Sequence, residues 1–463
     1  MNLKRPGFRG TPRRARKRAA GMTSAAAFAA VVVSPLEKEP VAMESVSKDD
    51  RLDLLLKDGY VIDPANDVEG ILDVGIRDGT IAEVSEDIVG SRAEHVIDVS
   101  GLLVTPGLVD IHVHAYDTRL DPGPGKFTGS LNADAHFLSD GVTTCVDTGT
   151  AGRDEILHFR QTVMEKRICR ILAYVNVSAP GMGSSEQDIR TFDAAGAASA
   201  ALDHRDVVVG IKTAHYWPRG PFDADHPPWA SVERAVEAGD LCGMPVMVDF
   251  WPRPPQRSYP ELILRKLRPA DIHTHVFARQ FPVVDAHGKV RDYMFEARER
   301  GVWFDLGHGA ASFWYRNGVP AIAGGFPPDS ISTDLHTGNI RGSVVSMTDT
   351  MSKCLLMGMS LREVIYRSTA TPARAIRRPD LGTLAVGAEA DVAVLARLVG
   401  ASSFRDCGWG RMDGNERLAC KLTVRKGEVV WDSDALTVAA WQDLPDDYWE
   451  TTIVPVPIQR HWR

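Results

Sequence analysis

Apolar residues occur in short, nearly continuous runs between residues 108 and 336, and stretches of helical periodicity separate them. This alternation is typical of βα units, whose parallel strands are buried on both faces. The apolar runs are Leu108–Tyr116, Val142–Asp147, Ile171–Ser178, Val207–His215, Pro245–Trp251, Asp271–Phe277, Val302–His308 and Ser330–His336. The helical stretches include Val232–Ala238, Arg291–Arg300 and Leu361–Arg367. Eight repeats are the number that closes a TIM barrel, so we predict an α/β fold with a (β/α)8 barrel. An open doubly wound sheet is the alternative, but no GxGxxG loop follows the first run.

Both ends of this region are flanked by shorter runs that read as strands between turns. The early runs are Leu52–Lys57, Gly59–Ile62, Ile71–Arg77 and Thr80–Val84, and the late runs are Ala390–Leu395, Lys421–Arg425 and Val429–Trp431. The dipeptides Asp58-Gly59 and Asp78-Gly79 predict hairpins. We expect the two ends to form one small β-sandwich around an inserted barrel. The predicted organisation is an N-terminal tail (1–46), an early sandwich segment (47–105), the barrel (106–378), a late sandwich segment (379–435) and a C-terminal tail (436–463).

The composition is that of a globular protein, with 44% hydrophobic and 25% charged residues. The net charge of −8 argues against nucleic acid or an anionic membrane as the main partner. The six cysteines show no CxxC pair and are expected to be reduced thiols. No apolar segment reaches the roughly 20 residues of a membrane span. We therefore expect a small-molecule substrate, and we expect a homo-oligomer.

The N-terminus differs from the rest of the chain. Residues 4–18 carry eight basic side chains and no acid, and an Ala/Val-rich stretch follows at 19–33. This order is the outline of a signal peptide, and Arg13-Arg14 raises the twin-arginine route. A disordered tail, or a true start at Met43, is the plainer interpretation. We expect a cytoplasmic protein, with export through this segment as the alternative.

Polar residues concentrate at the ends of the apolar runs, where TIM barrels place their active sites. His112 and His114 are two residues apart on a strand, so both rings lie on one face and can chelate a divalent ion. A lone pair of this kind is a weak signal, since surface histidines share the pattern. Later runs supply matching side chains: Lys212, His215, Asp249, His273, His275, Asp305, His308, Asp334 and His336. Beside two cations, the costly buried amine of Lys212 should become neutral and able to form a carbamate, although a snorkelling surface lysine is the usual alternative. Asp334 could be only a helix-capping or loop acid.

Two motifs carry a family resemblance. The sequence PGLVDIHVH at 106–114 resembles the motif that opens the barrel of the amidohydrolase superfamily, and 382–395 resembles its return to the β-sandwich. Segments 141–149, 210–212, 304–309, 332–334 and 350–353 resemble its dihydroorotase-like deacetylase branch. The resemblance implies a binuclear zinc hydrolase that acts on C–N (amide, N-acyl or cyclic amide) or ester bonds through a metal-activated hydroxide. It also implies metal ligands at His112, His114, carboxylated Lys212, His275 and Asp334, and a substrate-facing His308.

Asp249 departs from the family pattern, which has a histidine at the end of strand five. With Asp249 ionised, a centre of two divalent ions, a carbamate, Asp334 and a hydroxide sums to zero charge instead of +1. An oxygen ligand also favours manganese or iron over zinc. Asp249 is then a working ligand, the mark of a weak second metal site, or a sign that hydrolysis has been lost.

The expected mechanism is hydrolysis, in which Asp334 takes the proton of the attacking water and His308 orients the substrate or stabilises the oxyanion. Weaker substrate-binding candidates, each of which could equally be a solvated surface residue, are His215, Arg219, Arg253 and His336. Two other functions stay open. One is a deaminase with a single metal, and the other is a non-catalytic assembly protein of the same fold.

Overall fold

A computed structural model of the protein describes residues 50–117, 125–445 and 448. The predicted N-terminal tail and signal-like segment lie outside the described residues, as does most of the predicted C-terminal tail. The strands are β1 (Leu52–Asp63), β2 (Val68–Arg77), β3 (Thr80–Ser85), β4 (Ala93–Asp98), β5 (Leu103–Pro106), β6 (Leu108–Val113), β7 (Val142–Gly152), β8 (Arg170–Asn176), β9 (Val208–Thr213), β10 (Val246–Val248), β11 (Ile272–His273), β12 (Trp303–Phe304), β13 (Val392–Arg405), β14 (Arg411–Arg425) and β15 (Glu428–Asp432). The α-helices are α1 (Ala133–His136), α2 (Ile156–Thr162), α3 (Ala194–Asp203), α4 (Ala230–Cys242), α5 (Tyr259–Glu261), α6 (Asp292–Glu299), α7 (Tyr315–Ala323), α8 (Met347–Leu356), α9 (Leu361–Tyr366) and α10 (Ala370–Ala375).

The central sheet is parallel and curled, and it takes its strands in chain order from β6 to β12. Seven of the eight predicted runs therefore form strands. The eighth, Ser330–His336, is not a regular strand, because it makes only isolated bridges. Its residue Leu335 bridges Val113 of β6, and its residue Ser330 bridges Asp305 just after β12. This segment thus contacts both edges of the curled sheet.

Helices cover the outer side of this sheet. Every residue of β6, β7 and β9 is buried, as expected for parallel strands packed on both faces. The predicted helix at 232–238 lies within α4, and those at 291–300 and 361–367 match α6 and α9 to within one residue at each end. Helix α4 buries Val232, Ala235 and Ala238, and it ends before Gly243, whose φ of 68° caps it. Burying Val232 contributes about 1.5–3 kcal/mol to the packing of this helix.

The two ends of the described chain meet in a second, antiparallel-rich sheet. Its order is β15-β14-β13-β5-β1-β2-β3, and β4 pairs with β1. The late strand β13 pairs with the early strand β5, which confirms that both flanks contribute to one sheet. The Asp78-Gly79 hairpin is confirmed, with both residues at positive φ between β2 and β3.

The hairpin predicted at Asp58-Gly59 is wrong, because β1 continues through it with a bulge. Asp58 does take a positive φ of 60°, so the turn signal was real but local. A Cβ on Gly59 would lie 2.4 Å from Cγ2 of Val104, so this glycine allows a close approach of β5 instead of a chain reversal.

All six cysteines are free, as expected for reduced thiols. In the part of the chain that the structure describes, no helix combines the length and apolarity required to cross a bilayer.

Candidate metal centre

His112, His114 and Asp334 converge at the carboxyl end of β6. His112 lies in β6, His114 follows it, and Asp334 belongs to the segment 330–336, where its backbone N–H donates to the carbonyl of His112 at 2.6 Å. The Oδ1 atom of Asp334 lies 3.5 Å from Nε2 of His112 and 3.2 Å from Nε2 of His114. Within residues 50–117 and 125–445, this is the one group of three or more such side chains whose ligand atoms all lie within 4.8 Å of one another.

Hydrogen bonds fix the orientation of the His112 ring. The hydroxyl of Thr274 lies 2.8 Å from Nδ1 of His112 and 2.7 Å from Oδ2 of Asp305. Because the Asp305 carboxylate only accepts, the hydroxyl donates to it and accepts the Nδ1 proton of His112. The Nε2 lone pair therefore points toward Asp334. Burial, helped by the charge of Lys212, lowers the pKa of His112 to about 3, so the ring is neutral, as a metal ligand must be.

The other two predicted imidazole ligands are held in a similar way. Nδ1 of His114 lies 2.8 Å from the hydroxyl of Thr150. Nδ1 of His275 donates to the carbonyl of Gly307 at 2.5 Å, which leaves its Nε2 as the acceptor atom. The His275 ring packs 4.9 Å from that of His112, between centroids. A hydrogen bond on the far nitrogen is the usual support of a metal-binding histidine, so this donor set fits a divalent ion.

Lys212 is buried beside this cluster, on β9, with only 1% of its surface exposed. Burial lowers its pKa, against the charges of Asp249 and Asp334. Gly149 makes room for it, since a Cβ at this position would lie 2.7 Å from Cβ of Lys212. Only a neutral amine reacts with CO₂, and a lowered pKa favours that form.

Asp249 follows β10 and its carboxylate lies between two imidazoles. Its Oδ2 atom is 3.3 Å from Nε2 of His215 and 3.7 Å from Nε2 of His275. Burial opposes ionisation of Asp249, but the charges of His275 and His215 outweigh it and lower its pKa. His215 also lies 3.4 Å from Glu186. Although partial loss of solvation opposes its charge, Glu186 and Asp249 raise the pKa of His215 to about 9.

His308 is fully buried, and both of its ring nitrogens are engaged. Nδ1 donates to the carbonyl of Gly309 at 3.0 Å, and Nε2 accepts from the amine of Lys353 at 3.0 Å. Burial and the charge of Lys353 hold the pKa of His308 well below its usual value. Lys353 also pairs with Asp349 at 2.9 Å. No ring nitrogen of His308 is therefore left over for a substrate in this arrangement.

The remaining candidates lie farther out. The His336 ring is 6.1 Å from that of His114. Arg219 is exposed, and Arg253 donates to the carbonyls of Trp217 and Gly220. His273 turns away into an aromatic cluster, 4.6 Å from Phe281 and 5.2 Å from Tyr259 between ring centroids.

Three of the site residues adopt left-handed backbone conformations, namely His215 (φ 57°), His275 (φ 64°) and Asp334 (φ 50°). Such conformations are uncommon outside glycine and concentrate at functional sites. In His275 the left-handed backbone breaks the strand alternation, which explains why it faces His112 while His273 does not.

Sequence reasoning did not identify the supporting residues Thr150, Thr274 and Glu186. Single threonines and a single glutamate carry no motif of their own. Their role becomes visible only once the fold places them against the far nitrogens of histidines.

Comparison with known proteins identifies relatives of this chain. The profile of the Amidohydrolase family matches residues 103–224, which include His112, His114 and Lys212. A deacetylase of Agrobacterium fabrum is 30% identical over 68% of this chain and 76% of its own length. A deacetylase of Enterococcus faecalis is 28% identical over 74% of this chain and 89% of its own. Among solved structures, an adenine deaminase superposes with a TM-score of 0.74 at 27% identity, over 82% of this chain and all of its own.

The curled parallel sheet and the converged histidines and aspartate define a metallohydrolase-type site. The chain belongs to the amidohydrolase superfamily, as a metal-dependent enzyme that hydrolyses carbon–nitrogen bonds.

Proposed function

We propose that this enzyme deacylates an N-acyl amino acid or a similar small acid, or opens a cyclic amide, with two divalent ions. The observation that carries the proposal is the convergence of His112, His114 and Asp334. The similarity to two deacetylases supports the choice of substrate class. We keep ester cleavage as a variant of the same chemistry, because both reactions require water to attack a polarised carbonyl.

The two observed sheets are parts of the predicted barrel and β-sandwich in this proposal. We infer that residues 330–336 act as the eighth strand of a (β/α)8 barrel, supported by their bridges to Val113 and Asp305. The second sheet then forms the β-sandwich, from the two segments 47–105 and 379–435. The break at Gly107 between β5 and β6 supports the boundary at residue 106.

The ligand proposal assigns the donor atoms to two ions. His112, His114 and Asp334 would hold the first, and Asp249 and His275 would hold the second. Lys212, buried beside both groups, would contribute to the centre as a carbamate. Zinc suits the imidazole-rich first position, while the carboxylate of Asp249 would also suit manganese or iron.

The residues have separate tasks in the reaction. A bound divalent ion supplies a water molecule of lowered pKa and polarises a carbonyl group. Asp334 directs Oδ1 to the two imidazoles and keeps Oδ2 to accept the proton and return it to the leaving nitrogen. Gly309 leaves this oxygen uncovered, because a Cβ there would lie 2.7 Å from Oδ2. His308 orients the substrate indirectly, through Gly309 and Lys353.

Residues at the rim are proposed to contact the substrate. His336 lies near His114, and Arg219 and Arg253 lie in the loops after β9 and β10. A guanidinium can bind a carboxylate in two hydrogen bonds, which would suit an acidic substrate.

A hydrolysis screen tests the proposal. It should offer N-acyl amino acids, hydantoin-like rings and acyl esters to the full chain with zinc and with manganese. We expect metal-dependent cleavage of at least one amide, abolished by a chelator. The control is His95→Ala, an exposed position on β4. Failure to cleave any amide or ester, with metal bound, would contradict the proposal.

Deamination is the second candidate, favoured by the superposition on an adenine deaminase. Adenine in the same screen distinguishes the two, since a deaminase releases ammonia and no acid. Release of ammonia without any deacylation would replace the first proposal with the second.

A further inference from the structure

His215 occupies an unusual place in the loop after β9. It follows Lys212 by three residues, its φ is 57°, and half of its side chain is exposed. Its ring nevertheless lies between two carboxylates that are almost completely buried. Nδ1 is 3.4 Å from Oε2 of Glu186, and Nε2 is 3.3 Å from Oδ2 of Asp249.

Hydrogen bonds hold the side chain of Glu186 in place, so its contact with His215 is well defined. Its side chain is 3% exposed. Its Oε1 accepts from the side-chain amide of Asn176 at 2.9 Å, and its Oε2 accepts from the backbone of Gly183 at 3.2 Å. A fixed carboxylate at Nδ1 keeps the proton on that nitrogen, so Nε2 is the atom that would give up its proton to an ion on the opposite side. His275 is prepared in the same way by the carbonyl of Gly307.

Asp249 lies about as close to two imidazoles as Asp334 does, but the two Nε2 atoms beside Asp249 are more than 4.8 Å apart. Oδ2 of Asp249 lies 3.3 and 3.7 Å from two Nε2 atoms, and Oδ1 of Asp334 lies 3.5 and 3.2 Å from two others. Donor atoms bound to one tetrahedral ion at about 2.0–2.1 Å are about 3.3 Å apart. Asp249 is thus placed to share an ion with either imidazole, and both imidazoles reach one ion once the half-exposed His215 side chain turns toward His275.

We propose that His215 is a metal ligand, and that it supplies the second imidazole of the second position together with Asp249 and His275. The chain then keeps two imidazoles at that position although strand five ends in a carboxylate. A set of two imidazoles and one carboxylate binds first-row divalent ions such as zinc, manganese or iron. The inference rests on the proposed two-ion centre, and it assigns to His215 a role different from substrate contact.

Zinc titration of the metal-free full chain tests the inference without measuring activity. The wild type should bind two ions per chain. His215→Ala should keep one tight ion and weaken the second at least tenfold. The matched control is His226→Ala, in the same loop, whose ring stacks on Trp217 and should leave both ions unchanged. Two ions bound by His215→Ala with wild-type affinity would overturn the inference, as would a wild type that binds fewer than two.

Two further variants guard against a folding artefact. Glu186→Gln keeps the packing but removes the carboxylate from Nδ1, so it should weaken only the second ion, by about 10–100-fold. Asp249→His combined with His215→Ala should restore two tight ions, because the imidazole count returns to two. Cobalt substitution adds a spectroscopic readout, since the visible absorption of the second ion should change in His215→Ala and recover in the double variant. A double variant that binds only one tight ion would contradict the inference.

These outcomes separate the inference from the proposed function. A wild type that binds two ions, the second of them through His215, but cleaves no amide would contradict the proposed function and support the ligand assignment. A wild type that cleaves an amide but binds both ions equally well without His215 would support the proposed function and contradict the ligand assignment.

Discussion

The hydroxyl of Thr274 accepts a hydrogen bond from Nδ1 of His112 at 2.8 Å and donates one to Oδ2 of Asp305 at 2.7 Å. Asp305 in turn accepts from the hydroxyls of Ser330 and Ser332 at 2.6 and 2.7 Å. The segment that carries Asp334 is therefore tied to the same buried carboxylate that orients His112. This chain of hydrogen bonds connects the position of two proposed metal ligands.

Replacing Thr274 with valine should weaken metal binding at the first position by about 10–100-fold, because His112 loses the acceptor that fixes its ring. Thr274→Ser keeps the hydroxyl and is the control. The measurement is zinc affinity by competition with a chromophoric chelator. Equal affinities in the two variants would show that the hydroxyl does not orient the ligand.

Replacing Asp334 with asparagine should lower kcat by about 10²–10⁴-fold, because the amide cannot take up a proton. The amide oxygen still has the position of Oδ1, so the variant should retain metal. The measurements are steady-state kinetics and metal content of the same preparation. An asparagine variant with full metal and full activity would rule out the proton transfer assigned to Asp334.

Gly149→Ala tests whether Lys212 depends on the space beside it. The new Cβ would lie 2.7 and 2.8 Å from Cβ and Cγ of Lys212, so we expect overpacking of about 1–3 kcal/mol and loss of metal. Gly243→Ala is the control, since its φ of 68° is similar but nothing lies within 4 Å of its added Cβ. The two variants are compared by thermal unfolding and metal content. Equal losses of stability and of metal in the two variants would show that the effect at Gly149 comes from backbone strain and not from contact with Lys212.

Asp140 should make the fold less stable as the pH rises. Burial raises its pKa to about 6, despite hydrogen bonds from the backbone and the hydroxyl of Thr348. Because the folded pKa exceeds the unfolded one, the stabilising contribution is complete below pH ~4 and is lost as the pH rises through about 6. The loss is on the order of 3 kcal/mol. Urea unfolding at pH 4 and pH 7 should show a smaller change in Asp140→Asn, which mimics the protonated acid, and an unchanged pH dependence would contradict the assignment.

The sequence predicted the parallel strands well, because strands buried on both faces are continuous apolar runs. At Ser330–His336 the apolar run bridges two sheet edges without forming a ladder, so the eighth strand stays a prediction. The hairpin predicted at Asp58-Gly59 was wrong, because the same dipeptide occurs where a chain reverses and where a continuous strand has a bulge. Those outcomes depend on neighbouring strands that a local pattern does not contain.

The sequence predicted those site residues whose positions follow from their spacing along one strand, such as His112 and His114. The sequence placed His215 with the rim candidates, although its ring lies between Glu186 and Asp249. That placement depends on a left-handed residue and on a glutamate 29 positions earlier, which no periodicity connects. Asp249 was predicted to be a working ligand, the mark of a weak second site or a sign of lost hydrolysis, and in the structure its carboxylate lies between two imidazoles.

We propose that His112, His114 and Asp334 hold a catalytic divalent ion. Crystals of the full chain grown with zinc, measured at the zinc absorption edge, test it most directly. We predict an anomalous peak within about 2.0–2.2 Å of Nε2 of both histidines and of a carboxylate oxygen of Asp334. Crystals that contain zinc elsewhere but show no peak among these three side chains would contradict it.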